Sequence, residues 1–344
     1  MYCLNSDYTE GCHPLILAKL QATNMEQTTG YGWDPYCEEA RELIKAACQR
    51  HDADVHLLIG GTQTNLTVIC ASLRPHQAVL GAVTSHVNTH EAGAIEQTGH
   101  KVIEIPTTDG KLTAELIAQA WTKYDTDPSR EHWAQPKMVY ISQPTETGSM
   151  YSKAELEAIY QTCQANNLYL YVDGARLAYA LGAPSCDMTM ADLAHNCDVF
   201  YIGGTKCGLL FGEAVVILNP ALKEDFRTIA KQHGSILAKG RLLGIQFATI
   251  MQDNLYVELG RKATLQALKI HDALAAHGFK FVAESPTNQQ FVILTPAQYD
   301  KLSEEYVLSL DAYRPDGNYN VRICTCWATL DEQVDKLIAM IPEL

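Results

Sequence analysis

The chain has 344 residues and carries 26 Lys and Arg against 40 Asp and Glu, a formal net charge of −14. Nucleic-acid binding needs a surplus of cations to neutralise phosphates, so this balance argues against such a partner. With 47% hydrophobic and 19% charged residues, the composition suits one large domain or two smaller ones and excludes a disordered chain.

The first residues, Met1-Tyr-Cys-Leu-Asn-Ser-Asp7, have no basic start and no apolar core of a leader, and a cytoplasmic location is the expectation. The longest stretch without a full charge, residues 56–73, is broken by Gly60, Gly61, Thr62, Gln63, Thr64, Asn65 and Thr67, so no membrane span is expected. Eleven cysteines, an odd number without a CxxC pair, read as reduced thiols and not as a metal site or a disulfide framework.

In chain order, Asp34-Pro35 offers an N-cap and a proline at the first helical position, followed by Ala40, Leu43, Ile44, Ala47 and Cys48 at helical spacing. Strands are predicted over 55–59, 78–82, 101–105, 138–142, 168–172, 199–202 and 214–218, alternating with amphipathic stretches. That alternation predicts an α/β fold, a mostly parallel seven-stranded sheet covered by helices. Ser152-Lys-Ala-Glu155 reads as a capping box. Beyond Asn219-Pro220, helices are expected at 221–232 and 236–276, strands at 279–282, 290–295 and 320–326, and a last helix opened by a second capping box, Thr329-Leu-Asp-Glu332. The implied division is an N-terminal segment, 1–20, near the active site, a large domain, 21–249, and a smaller C-terminal α+β domain, 250–344, with the long helix as hinge.

Three segments carry chemistry. In Leu57-Leu-Ile-Gly-Gly-Thr62-Gln-Thr-Asn65 a strand runs through glycines into a helix, whose free N–H groups and Thr62 hydroxyl suit a phosphate, although a helix merely capped by a glycine turn reads the same way. Leu168-Tyr-Leu-Tyr-Val-Asp173-Gly-Ala-Arg176 ends an apolar strand in an acid, where open α/β sheets bind ligands; an N-cap Asp with an Arg partner is the plainer alternative. Tyr201-Ile-Gly-Gly-Thr205-Lys206-Cys-Gly208 sets one lysine among glycines and apolar residues, where desolvation frees its amine as a nucleophile. Together a phosphate cradle, an acid for a ring nitrogen and a strand-end lysine make up a pyridoxal 5'-phosphate site.

Over nearly its whole length the sequence resembles the low-specificity L-threonine aldolases of the β-eliminating lyase group, which have the aspartate-aminotransferase-like fold, fold type I of the pyridoxal-phosphate enzymes. The resemblance rests on Asn5-Ser6-Asp7, Tyr31-Gly-Trp-Asp-Pro35, Gly61-Thr62-Gln-Thr-Asn65, His86-Val-Asn-Thr-His-Glu91-Ala-Gly93, Asp173-Gly-Ala-Arg176, Lys206, and Arg322 in Val-Arg-Ile-Cys-Thr. It implies that Gly61 and Thr62 hold the phosphate with Thr205 nearby, that His86 stacks on the ring, that Asp173 pairs with its nitrogen, and that Lys206 forms the Schiff base. It further implies that Ser6, Arg176 and Arg322 bind the substrate carboxylate, that Tyr31 approaches a partner subunit's site, and that the active unit is a homo-oligomer, at least a dimer and by family resemblance a tetramer.

The sequence departs from the family pattern at Asn5, where an arginine is usual, in the Gly-Gly-Thr-Lys-Cys-Gly turn, and at Gln143 in Ile-Ser-Gln-Pro-Thr-Glu146, where an asparagine is more usual. Lys239 and Arg241 fall near a family arginine that approaches the phosphate. The expected activity is reversible cleavage of L-threonine or L-allo-threonine to glycine and an aldehyde, with His86 as candidate base. Another pyridoxal-phosphate lyase on the same scaffold, β-eliminating or acting on phenylserine-like substrates, and an inactive cofactor-binding protein are the alternatives.

Overall fold

A computed structural model describes residues 1–344. A two-residue strand, β1 (Tyr2–Cys3), precedes seven strands that form the central sheet: β2 (Asp54–Leu58), β3 (Gln77–Ala82), β4 (Val102–Ile105), β5 (Gln135–Ser142), β6 (Tyr169–Asp173), β7 (Val199–Gly203) and β8 (Glu213–Ile217). Their order is β2-β8-β7-β6-β5-β3-β4. Only β8 runs against the others, antiparallel to β2 and β7.

Alternation along the strands divides the interior in two. Leu80, Val139, Leu170, Val172, Phe200 and Val216 face one layer, while Val79, Met138, Tyr140, Tyr171, Tyr201 and Val215 face the other. Both sheet faces are covered, which is why these strands read as continuous apolar runs. The second layer carries the three tyrosines toward the C-terminal edge of β5, β6 and β7.

The helix Pro35–Cys48 starts where the sequence predicts, with the Asp34 carboxylate accepting from Cys37 N–H at 2.9 Å. The capping box at Ser152 also forms. The second one does not. The Thr329 hydroxyl accepts from Cys326 N–H instead, at 2.8 Å, and the last helix begins at Asp331 with Leu330 at its N-cap. The single long helix expected over 236–276 is also corrected: it is two helices, Arg241–Ile250 and Leu255–Ala276, separated at Asp253 and Asn254, whose positive φ angles of 50° and 61° cannot continue a right-handed helix.

The C-terminal part forms an antiparallel sheet from β9 (Lys280–Ala283), β10 (Gln289–Leu294), β12 (Ser309–Tyr313) and β13 (Tyr319–Cys324), in the order β12-β13-β10-β9. Strand β12 has no sequence signal, because its Asp311-Ala-Tyr313 end is an exposed edge without apolar alternation. The remaining short strand, β11 (Tyr306–Val307), pairs with β1, and Leu4 is buried in the core of this sheet. The N-terminus is thereby fixed on the C-terminal unit, and residues 5–7 are delivered to the edge of the central sheet.

The short helix Leu177–Leu181, which follows Arg176, lies against the helix Leu255–Ala276. A Cβ on Gly260 would sit 2.0 Å from the Ala178 carbonyl oxygen. Gly260→Ala is therefore expected to destabilise the protein by about 1–3 kcal/mol, as overpacking commonly does. A urea midpoint equal to the parent's would show that the two helices can separate without cost.

Candidate active site

The C-terminal ends of the parallel strands open into a cavity of about 600 Å³ lined by Gly60, Gly61, Thr62, His86, Asp173, Arg176, Thr205, Lys206 and Arg322, together with Tyr8, Glu146 and Glu213. Gly61 and Thr62 follow β2, His86 follows β3, Asp173 ends β6, and Lys206 follows β7. Since β8 is reversed, its first residue, Glu213, reaches the same edge.

Asp173 is 4% exposed and takes four donors: Tyr140 Oη at 2.5 Å and Asn65 Nδ2 at 3.1 Å on Oδ2, Tyr201 Oη at 2.6 Å and Ala175 N–H at 2.9 Å on Oδ1. Burial opposes its charge, but the neighbouring His86 and these donors outweigh burial and hold the carboxyl below its usual range. All of its lone-pair sites are engaged. Asn65 Nδ2, the longest of these contacts, also donates to Glu91 Oε1 at 2.6 Å. Gly174 in this motif is obligatory, since a Cβ would meet the Tyr201 carbonyl oxygen at 1.9 Å.

His86 directs Nδ1 at Glu91 Oε1, 2.7 Å away. Burial acts against its charge, yet the contact with Glu91 and the charges of Asp173 and Glu91 outweigh it and raise its pKa. Lys206 is the opposite case. Its Nζ has neither a hydrogen-bond nor an ion-pair partner and opens into the cavity; burial, with Arg176 adding to it, lowers its pKa and favours the neutral amine.

The helix Gly61–Ser72 starts at Gly60 without a side-chain cap, which leaves its first N–H groups free beside the exposed Thr62. An uncapped helix N-terminus, an unpartnered desolvated amine and a buried ionised acid around one cavity fit a phosphate-bearing aldehyde with a basic ring nitrogen.

Other residues named from the sequence are placed less directly. Thr205 donates its hydroxyl to Glu213 Oε1 at 2.7 Å, so it braces the Lys206 turn. Arg176 gives Nε and Nη2 to the buried Asp7 at 2.7 and 3.1 Å, which leaves Nη1 for a ligand. Arg322 has no carboxylate partner and makes only long contacts of 3.3–3.4 Å to Gln289, Asn5 and Ser309. Ser6 is buried next to Asp7 and does not line the cavity of its own chain. Nor does Tyr31, which is 44% exposed with Lys231 over its ring. Arg241 is committed to the Thr23 and Glu26 carbonyls.

Asp7, Tyr140, Glu146, Tyr201 and Glu213 belong to the site without a signal in the sequence that marks their roles. Asp7 and Glu146 lie inside motifs that had been singled out, whereas Tyr140 and Tyr201 look like ordinary core residues of apolar strands. Glu213 is reached only through the reversal of β8.

A family model for the beta-eliminating lyases matches residues 4–297. The chain belongs to the beta-eliminating lyase family. Among its relatives is a low specificity L-threonine aldolase of Pseudomonas aeruginosa, 29% identical over 96% of this chain and 94% of that protein. A solved Leishmania major threonine aldolase is 43% identical, with a TM-score of 0.97, and the match covers 100% of this chain and 99% of that one. An aspartate aminotransferase of Thermus thermophilus, 16% identical with a TM-score of 0.72 over 100% of this chain and 92% of its own, shares the fold. Within the family fold, the site stands where the sheet edge meets the N-terminal segment.

Glu213 accepts from Gly204 N–H at 3.0 Å as well as from Thr205, and burial pushes its pKa from 4.5 up to about 8. The folded state therefore binds its proton more tightly than the unfolded state does. Its stabilising contribution is full below pH 4.5 and is lost as the pH rises through 8. In the ligand-free protein, Glu213→Gln is expected to reduce the fall in Tm across that interval, and a fall identical to the parent's would contradict the assignment.

Proposed function

We infer that the protein is a pyridoxal-5'-phosphate-dependent carbon–carbon lyase that cleaves L-threonine and L-allo-threonine reversibly to glycine and an aldehyde. The observation that carries this reading is the unpartnered Lys206 amine in one cavity with ionised Asp173 and the open helix start at Gly61, in a chain so similar to a threonine aldolase along its full length.

When bound, the cofactor supplies an electron sink for the pair released from the Cα–Cβ bond. Each protein group then has a defined task. Gly61 and Thr62 hold the phosphate, His86 covers the ring, and Asp173 keeps the ring nitrogen protonated. Lys206 presents its unpartnered amine for covalent attachment and takes up or returns a proton at its Nζ. Arg322, the cavity's cation without an acidic partner, fixes the substrate carboxylate, and the remaining edge of Arg176 assists it. The division into residues 1–20, 21–249 and 250–344 fits this scheme, because the carboxylate then binds where the N-terminal segment and β13 meet the large unit.

The active unit is a homo-oligomer, at least a dimer and by our reading a tetramer, in the cytoplasm. Leu15, Leu17, Met25, Tyr31 and Trp33 are 44–88% exposed along one N-terminal stretch, which supports an apolar interface there. Light scattering after size exclusion is expected to give a multiple of the 38.0 kDa chain mass; a monomer would refute the assembly.

The activity is tested by glycine release from L-threonine, L-allo-threonine and phenylserine, with the D-enantiomers as controls. Lys206→Ala is expected to abolish release and covalent cofactor retention, and unchanged turnover would refute the assignment. Arg322→Ala is expected to raise KM about 10- to 100-fold, the loss of one or two charge-assisted hydrogen bonds. An unaltered KM would remove Arg322 from the carboxylate site.

A further inference from the structure

Cleavage requires a group that removes the proton of the substrate's β-hydroxyl, and the cavity wall holds a carboxylate with no other evident use. Glu146 follows β5 in Ser142-Gln-Pro-Thr-Glu146. Its Oε1 accepts from the Ser142 hydroxyl at 2.7 Å and from the His86 backbone N–H at 3.0 Å. Its Oε2 has no hydrogen-bond partner on another residue and is not sealed off, and Glu146 lines the cavity with His86, His90 and Ser142. One oxygen is thus fixed by two donors while the other is presented to a ligand. No cation within ion-pair distance neutralises the group.

We propose that Glu146 is the general base that takes the β-hydroxyl proton. The inference rests on the aldolase reading above and changes the residue assigned to proton removal. His86 is poorly suited to that step, because its Nδ1 is taken up by the buried carboxyl of Glu91, 2.7 Å away. Glu146 is shifted in the useful direction: burial first, then the charge of Asp173, raise its proton affinity above that of an ordinary carboxylate, against its hydrogen-bond donors.

The step balances. The β O–H bond breaks and its proton passes to Glu146 Oε2, while the electron pair left on oxygen becomes the second bond of the aldehyde carbonyl. The Cα–Cβ bond breaks and its pair stays with the glycine Cα. One proton returned to Cα completes glycine, and release of the proton from Glu146 restores the base.

Glu146→Gln tests this while preserving shape, since the amide oxygen still accepts from Ser142 and His86. Three readouts on the holoenzyme separate the outcomes: L-threonine cleavage, the absorbance titration of the bound cofactor with glycine, and exchange of the glycine α-hydrogen with solvent deuterium. Glycine has no β-hydroxyl, so its affinity and exchange are expected to stay within about threefold of the parent, while kcat for cleavage falls by about 10²–10⁴, the usual worth of a general base. Cleavage retained within threefold would overturn the proposal, as would glycine affinity and exchange falling together with cleavage, which would mark a structural role. A parent enzyme that binds glycine but does not cleave L-threonine would instead overturn the aldolase reading itself.

Discussion

The buried charge of Asp173 organises the structure. An ionised carboxylate removed from water costs several kcal/mol unless donors replace the lost hydration. The fold supplies four of them from four places: Asn65 on the helix after β2, Tyr140 on β5, Tyr201 on β7, and the Ala175 N–H in the turn after β6 itself. Each comes from a different segment of the chain, so the carboxylate can be solvated only when the sheet has its full register. The ladders are what fix this. Ser142 pairs with Asp173 across β5 and β6, and the tyrosines project from the same layer.

Around that acid, the remaining charges are arranged so that cations face the ligand. Asp7 neutralises one edge of Arg176, Glu91 pairs with His86, and Glu213 is spent on Gly204 and Thr205. What remains open to the cavity is Arg322, one edge of Arg176, the Lys206 amine and a helix start without a cap, with the free oxygen of Glu146 as the acidic exception. A chain with a net charge of −14 thereby presents an anion-binding cavity, and long-range repulsion is overcome by local, desolvated contacts.

Much of this was legible in the sequence. All seven strands of the central sheet stand within a few residues of their predicted places, because buried parallel strands read as short apolar runs bounded by turn residues. The segments ending at Gly61, Asp173 and Lys206 were recognisable for the same reason: each is a strand running into glycines. The environment of those residues was less legible. Nothing local separates Tyr140 and Tyr201 from core tyrosines, and Glu213 reaches the cavity only because β8 is antiparallel. The break at Asp253-Asn254 was missed since both residues are tolerated in a helical pattern, and Thr329 has the right spacing for a capping box but bonds to Cys326 instead.

Asp173 must remain ionised against the ring nitrogen of the cofactor for the site to work as described, and the most direct measurement is the ¹⁵N NMR shift of that nitrogen in holoenzyme carrying ring-labelled pyridoxal phosphate. The arrangement predicts a protonated, pyridinium-type shift at neutral pH in the parent, and its loss in Asp173→Asn. A neutral pyridine shift in the parent would contradict it.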